Sequence, residues 1–202
     1  MLQEIQIPEG LTRVNVRIAA VRGPMTRQIR ENVQRQGGEA AWQAMLAKVS
    51  RQCRECFAKP IGLYEWIPAE LSSELSQAYM ADADPEFTRR RGVDSARELI
   101  TSINRWMLRL MTPSFLLENT PRMFSHYYMG GRVVLDQLGE GEARLSLWAE
   151  GFYPIWYEKG ISGWLQGALE LTGARGVEVA YEAPSGEGLL AFRHHYHVRW
   201  NS

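Results

Sequence analysis

The chain has 202 residues, 45% of them hydrophobic and 23% charged, with 23 basic side chains balanced by 23 acidic ones. That length and composition suit a globular protein with a real core, and zero net charge excludes a global field drawing it to nucleic acid or an anionic membrane. Met1–Ile5 lacks the basic and apolar regions of a signal peptide, no window approaches a membrane span, and two cysteines fit a reducing compartment, so a cytoplasmic protein is expected.

In chain order, Val14, Val16 and Ile18 alternate with polar residues and predict a first strand. Gly23-Pro24 starts a helix that Gly37-Gly38 ends. From Ala40 to Phe57, Trp42, Met45, Leu46, Val49, Cys53, Cys56 and Phe57 recur at three- and four-residue steps, which predicts one amphipathic helix with both sulfurs on or beside its apolar stripe. Residues 60–67 form an aromatic connector, and Pro68 starts a helix to about Ala81. Asp82 to Arg91 is polar, contains Asp84-Pro85, and is expected to be an exposed loop. Residues 94–111 carry one continuous apolar face with Asp94 as N-cap. Thr112-Pro113 and Thr120-Pro121 each look like a helix start and predict two short helices, 113–118 and 121–129.

Residues 131–200 organise the rest. Gly131–Leu135 and Ala143–Ala149 are β-prone runs separated by Gly139-Glu140-Gly141, the composition of a hairpin. Pro154 opens a helix over 155–171, Gly173 stops it, and 177–182 and 189–200 return to period two. The expected architecture is α+β within one domain over 1–202. Residues 1–130 are mostly helical with one N-terminal strand, and 131–200 form a hairpin, a long crossing helix and a second hairpin.

Chemistry-bearing groups are sparse. A single Cys-x-x-Cys late in an amphipathic helix offers two of the four ligands a zinc ribbon needs, so core packing is expected for both cysteines. In 189–200, parity assigns Leu190, Phe192, His194, Tyr196, Val198 and Trp200 to one face and His195 and His197, beside two arginines, to a solvated one. His194 on the apolar face must find a partner, either as a satisfied core residue or as a polar anchor in a ligand cavity. Gly160, Gly163 and Gly167 form a small-residue stripe that admits another backbone, from this chain or from a second copy. Phosphate-binding, dinucleotide, serine-hydrolase and zinc-protease motifs are absent from the sequence, and no carboxylate pair stands out as acid and base.

The run Arg144–Pro154, the helix Gly160–Ala174 and Val177–Val179 resemble the end of the haem-NO-binding and vinyl-reductase-like domains. Almost the whole chain is similar to a myxobacterial paralogous family of unknown function related to them, through Phe57–Pro68, Pro113–Leu117 and His126–Arg132. The resemblance implies a small-molecule sensor, often dimeric. Haem sensors of this superfamily hold the propionates with a Tyr-x-Ser-x-Arg strand motif, which falls here on Leu145, Leu147 and Ala149, and helix 94–111 has no histidine. Vinyl-reductase-like sensors carry zinc-binding cysteines in the last hairpin, where 182–191 has none. Neither haem nor zinc is expected.

The sequence thus reads as a non-catalytic sensing or regulatory domain with an apolar pocket. Its lining is expected from Leu145, Leu147, Trp148, Tyr153, Trp156, Phe192, His194 and Tyr196, with Gly160, Gly163 and Gly167 as a dimer or partner face. A structural adaptor with a solid core, binding a protein through that glycine helix or the arginine run 89–91, is the alternative. A haem or metal enzyme using His126, His194 or His197 comes last.

Overall fold

A computed structural model describes residues 7–81, 84–101 and 111–201. Thr12 and Asn15 close a capping box that folds Arg13–Val16 into a single helical turn, α1, where the alternation predicts a strand. Within it Val16 is buried and Val14 is 86% exposed. The first strand, β1, is Ala20–Arg22. Helix α2, Gly23–Leu46, has proline in its first turn as expected, and it kinks at Gly37 and at Gly38, whose φ of 67° favours glycine. The stretch predicted as one helix to Phe57 is interrupted: Ser50 accepts from the Cys53 amide and starts a separate helix, α3, Arg51–Phe57.

The aromatic connector contains a short strand, β2, Trp66–Pro68, and helix α4, Ala69–Met80, follows. The expected loop over Asp82–Arg91 is helical from Pro85 onward. Helix α5 runs Pro85–Thr101; Asp84 Oδ1 accepts from the Phe87 amide at 2.7 Å and proline occupies the first position, so Asp84-Pro85 acts as a cap and not as a turn. Asp94 is consequently an interior residue of this helix, paired with Arg91 at 3.0 Å. The remainder of the predicted helix to Met111, residues 102–110, lies outside the described residues, as do 82–83.

Helix α6, Pro113–Tyr127, is one helix with Pro121 inside it, where two were expected. Thr112 caps it, and beside the proline the Thr120 hydroxyl donates to the Leu116 carbonyl at 3.0 Å. Strand β3, Tyr128–Met129, joins a three-stranded antiparallel sheet ordered β2-β1-β3.

The C-terminal part follows the expected order more closely. Strands β4, Arg132–Gly139, and β5, Glu142–Trp148, form the predicted hairpin, with Gly141 at φ 73° in its turn and a bulge between Leu135 and Gln137. The crossing helix begins with a π-helical turn, Trp156–Ile161, and continues as α7, Ser162–Leu171. Strand β6, Arg175–Glu182, a 3₁₀ turn, Gly188–Phe192, and strand β7, Arg193–Asn201, complete a four-stranded antiparallel sheet ordered β4-β5-β7-β6. The parity reading of β7 holds from residue 194: His194, Tyr196, Val198 and Trp200 are buried. One hydrophobic core takes residues from Ile18 in the N-terminal part to Trp200 at the end of the sheet. Among the described residues no helix is long and apolar enough to cross a membrane.

Candidate ligand cavity

The helices and the inner face of the four-stranded sheet do not close completely on one another. Between them lies a cavity of about 160 Å³. Its sheet wall is Val133 of β4, Leu145 and Leu147 of β5 and Tyr196 of β7. The crossing segment contributes Phe152, Tyr153, Trp156, Ile161 and Trp164, and the π turn brings Trp156 and Ile161 to the same space. Helix α6 and β3 add Phe124, Tyr127 and Tyr128. Four of these rings form a continuous aromatic wall: Phe124 stacks on Tyr128 at 4.4 Å, Phe152 stacks on Trp156 at 4.6 Å, and Tyr128 meets Trp156 edge-on at 5.7 Å.

The opposite wall is more polar. Ser72, Ser76 and Tyr79 of α4 and Thr88, Arg91 and Ser95 of α5 line it, with Met25 and Gln28 of α2. Ser76 donates to the Ser72 carbonyl at 2.8 Å, but several other hydroxyls around the cavity are weakly matched. Thr88 and Tyr153 both donate to the Met80 sulfur, at 3.2 and 3.4 Å, and Tyr128 reaches the Met25 sulfur at 4.0 Å. Thioether sulfur is a poor acceptor. The Tyr79 hydroxyl is buried without a partner among the described residues. Burial pushes the Tyr128 and Tyr153 phenols well above their ordinary range, so both stay protonated donors at neutral pH.

Of the pocket residues expected from sequence, the structure brings Leu145, Leu147, Tyr153, Trp156 and Tyr196 together around this cavity. Three it does not. Trp148 faces the other side of the sheet, where Trp148, Leu11 and Val16 form a second small core with Phe192 packed on it. The reason is that Gly188–Phe192 forms a 3₁₀ turn ahead of β7 and that α1 covers this outer face, so Trp148 is buried and Phe192 half-buried away from the cavity. His194 is buried on the inner side but is already satisfied: its Nδ1 lies 2.9 Å from the Tyr181 hydroxyl, its Nε2 lies 3.3 Å from the Ala149 carbonyl, and its ring stacks on Tyr157 at 3.9 Å. A carbonyl only accepts, which puts the proton on Nε2 and makes Tyr181 the donor to Nδ1. Desolvation brings the His194 pKa down to about 4. It is a core histidine and does not line the cavity.

The glycine stripe expected to face a partner is occupied within the chain. A Cβ on Gly163 would lie 2.1 Å from the Arg89 carbonyl oxygen, one on Gly167 would lie 2.7 Å from that of Val93, and one on Gly92 would lie 2.3 Å from that of Gly160. Helix α5 therefore touches the π turn at Gly160 and α7 at Gly163 and Gly167 backbone to backbone, which leaves no room there for a second copy. The arginine run 89–91, expected in a loop, sits on α5, and its members point to different partners: Arg89 to Gln166, Arg90 to Asp84, Arg91 to Asp94.

Sequence reasoning missed Tyr79, Met80 and Arg91. Ser72, Ser76 and Tyr79 at steps of four and three mark one stripe of α4 and would have located that wall. Arg91 was hidden because 82–91 reads as a loop.

Other constellations do not amount to a reactive site. Ser146, fully buried, donates to the Asp136 carboxylate and accepts from Arg193 Nε at 3.0 Å, with His195 Nδ1 at 3.4 Å. The carboxylate holds the serine directly, whereas a nucleophilic triad places the histidine between them. Cys53 is buried with its thiol 3.5 Å from the Leu71 carbonyl, and burial raises its pKa to about 12. No group of three metal-ligating side chains occurs among the described residues.

Comparison with known proteins agrees with this architecture. Residues 94–201 match a family model described as "Protein of unknown function (DUF2378)". No curated protein matches the chain. Among solved structures, a mutant of the Fe(II) unliganded H-NOX protein from K. algicida is similar over 90% of this chain and 97% of its own, at 11% identity and a TM-score of 0.66. A mutant of the H-NOX protein from T. Tengcongensis is similar over 90% and 98%, at 11% identity and a TM-score of 0.58. A structure determined to probe the function of haem distortion in the H-NOX family is similar over 90% and 95%, at 12% identity and a TM-score of 0.56. At such identities the likeness is one of fold, and the fold is H-NOX-like.

Proposed function

The chain belongs to the family described as protein of unknown function (DUF2378), and we propose that it binds a small, largely apolar molecule in the cavity between its helices and its sheet, as a sensing or regulatory domain and not as an enzyme. The observation that carries this reading is the cavity itself: an aromatic wall, with the Thr88 and Tyr153 hydroxyls left on the Met80 sulfur and the Tyr79 hydroxyl without a partner among the described residues. A solid-core adaptor would have no use for such a space, since voids in a core cost stability and unmatched buried hydroxyls cost more. The lining offers apolar area for affinity and a few polar groups for orientation, the usual division of labour in a ligand site.

The H-NOX neighbours raise haem as the ligand, and the residues here do not fit a histidine-ligated haem. All four histidines of the sequence lie elsewhere than in the cavity lining: His194 is held by Tyr181 and Ala149, His126 is exposed, and His195 and His197 are on the outer face of β7. The strand positions where the sensor motif would put its tyrosine, serine and arginine carry Leu145, Leu147 and Ala149, all buried and apolar. A different, smaller molecule suits the space better.

In this reading, ligand binding would order the helical wall against the sheet and change a surface presented to a second copy or to a protein partner. Native mass spectrometry of the purified protein, set beside its denatured mass, tests it. Retained mass that is lost on denaturation, and absent from a cavity-filling Ser76→Phe variant, is the expected result, and the same spectrum reports stoichiometry. A protein of bare chain mass whose thermal midpoint Ser76→Phe raises and no small apolar molecule shifts would overturn it.

A further inference from the structure

The cavity is unbalanced in its hydrogen-bonding groups, and that imbalance specifies a ligand chemistry. Donors from both walls line it. Thr88 and Tyr153 give their protons to the Met80 sulfur, Tyr128 reaches the Met25 sulfur, and the Tyr79 hydroxyl has no partner among the described residues. Arg91 is the one charged side chain lining the cavity among the described residues, and no aspartate or glutamate lines it with Arg91. Its counter-ion Asp94 takes a single hydrogen bond from Nη1 at 3.0 Å, leaving the rest of a five-donor guanidinium to face other groups. The Arg91 side chain is only 18% exposed, so its charge acts in a poorly hydrated setting.

Placement along α5 joins these groups into one site. Phe87 and Arg91 stand one turn apart, and Phe87 meets the Tyr79 ring edge-on at 5.6 Å, which brings Tyr79 of α4 to the stretch of α5 that carries Arg91. Thr88 lies between them and ties α5 to Met80. Across the cavity stands the aromatic wall of Phe124, Tyr128, Phe152 and Trp156. A ligand that matches both walls needs an apolar body at one end and acceptor oxygens, with negative charge, at the other.

Building on the cavity-binding reading above, we propose that the ligand is a small monocarboxylic acid whose aromatic or aliphatic body packs on the Phe124–Trp156 wall and whose carboxylate is held by Arg91 and Tyr79. A planar guanidinium matches a carboxylate in geometry as well as charge, and the Tyr79 proton supplies a third donor to an anion that has acceptor capacity to spare. A neutral alcohol of the same body would fill the same apolar space and leave the guanidinium unmatched.

The test titrates the purified full chain at pH 7 with phenylacetate and octanoate, and with 2-phenylethanol and 1-octanol as neutral counterparts. The readout is the change in tryptophan fluorescence, to which Trp156 and Trp164 contribute from the cavity lining. Each acid is expected to bind about tenfold or more tightly than its alcohol, as a charge-assisted pair in a poorly hydrated site should. In Arg91→Met the preference should fall to near unity while alcohol binding persists; Arg91→Lys should keep part of it. Equal affinity of acid and alcohol in the unmodified protein, or a preference untouched by Arg91→Met, overturns the carboxylate assignment and leaves cavity binding standing. Failure of all four probes to bind overturns both. The acid-to-alcohol ratio in the unmodified protein decides the matter even if the Arg91 variants do not fold.

Discussion

Gly163 approaches Arg89 so closely that a Cβ added to the glycine would sit 2.1 Å from the arginine's backbone carbonyl oxygen. The contact is backbone against backbone, so no side-chain rotation relieves it. It sets the distance between α5 and α7, and with it the positions of Arg91 and Trp164, which both line the cavity. Gly163→Ala should therefore cost about 2 kcal/mol or more in unfolding free energy, despite the better helix propensity of alanine, because the two helices must separate. Chemical denaturation checks this. Stability equal to that of the unmodified protein would mean that the helices do not meet there.

A second expectation follows from the buried imidazole. Folding lowers the His194 pKa to about 4, below its ordinary value near 6.5, so between these limits the unfolded chain binds more protons than the folded one. Stability contributed by the neutral ring is complete above about pH 6.5 and is lost as pH falls toward 4. Over that window the loss should be on the order of 2 kcal/mol from this group, and His194→Phe should flatten the pH dependence, although it removes the bonds to Tyr181 and Ala149 and lowers stability at pH 7. Denaturation midpoints measured from pH 4 to pH 8 for both proteins give the answer.

Two aromatic substitutions separate the cavity from the outer core. Trp156→Ala removes part of the cavity's wall and should weaken binding of any molecule held there at least tenfold. Phe192→Ala lies on the other side of the sheet, beneath the Arg13 guanidinium at 5.7 Å, and should cost about 1 kcal/mol of stability with no change in binding. Parallel titrations of the two variants distinguish these roles, and equal losses of affinity would place Phe192 at the site after all.

Cysteine chemistry should be quiet in the folded state. Burial raises the Cys53 thiol to about 12 and raises Cys56 above its ordinary value as well, so little thiolate is present at pH 8. Iodoacetamide is expected to label Cys53 only as fast as the protein unfolds, and added denaturant should accelerate labelling in step with the unfolded fraction. Rapid labelling of native protein, located by peptide mass, would contradict the burial.

Much of this was legible along the chain. Period-two spacing placed His194, Tyr196, Val198 and Trp200 on the buried face of β7, and glycine-rich turns placed the β4–β5 hairpin, because both signals are local and the backbone of a strand alternates whatever lies beyond it. Gly23-Pro24 and the break at Gly37-Gly38 were equally local. The resemblance to haem-NO-binding domains extended this to the whole fold. Asp84-Pro85 was ambiguous for a physical reason: an aspartate before a proline satisfies a turn and a helix N-cap alike, and only the packing of α5 against α7 selects the helix.

The sequence by itself determined which residues are apolar, where strands alternate and where helices can begin. Tertiary structure alone decided which buried face encloses space. Strand β5 is buried on both sides, from Leu145 to Trp148, so its hydrophobicity does not say that Leu145 and Leu147 face a cavity while Trp148 faces a filled core. That difference comes from what covers each face: α1 and the 3₁₀ turn pack on one with Leu11, Val16 and Phe192, whereas the helices over the other leave a space lined by Leu145 and Leu147.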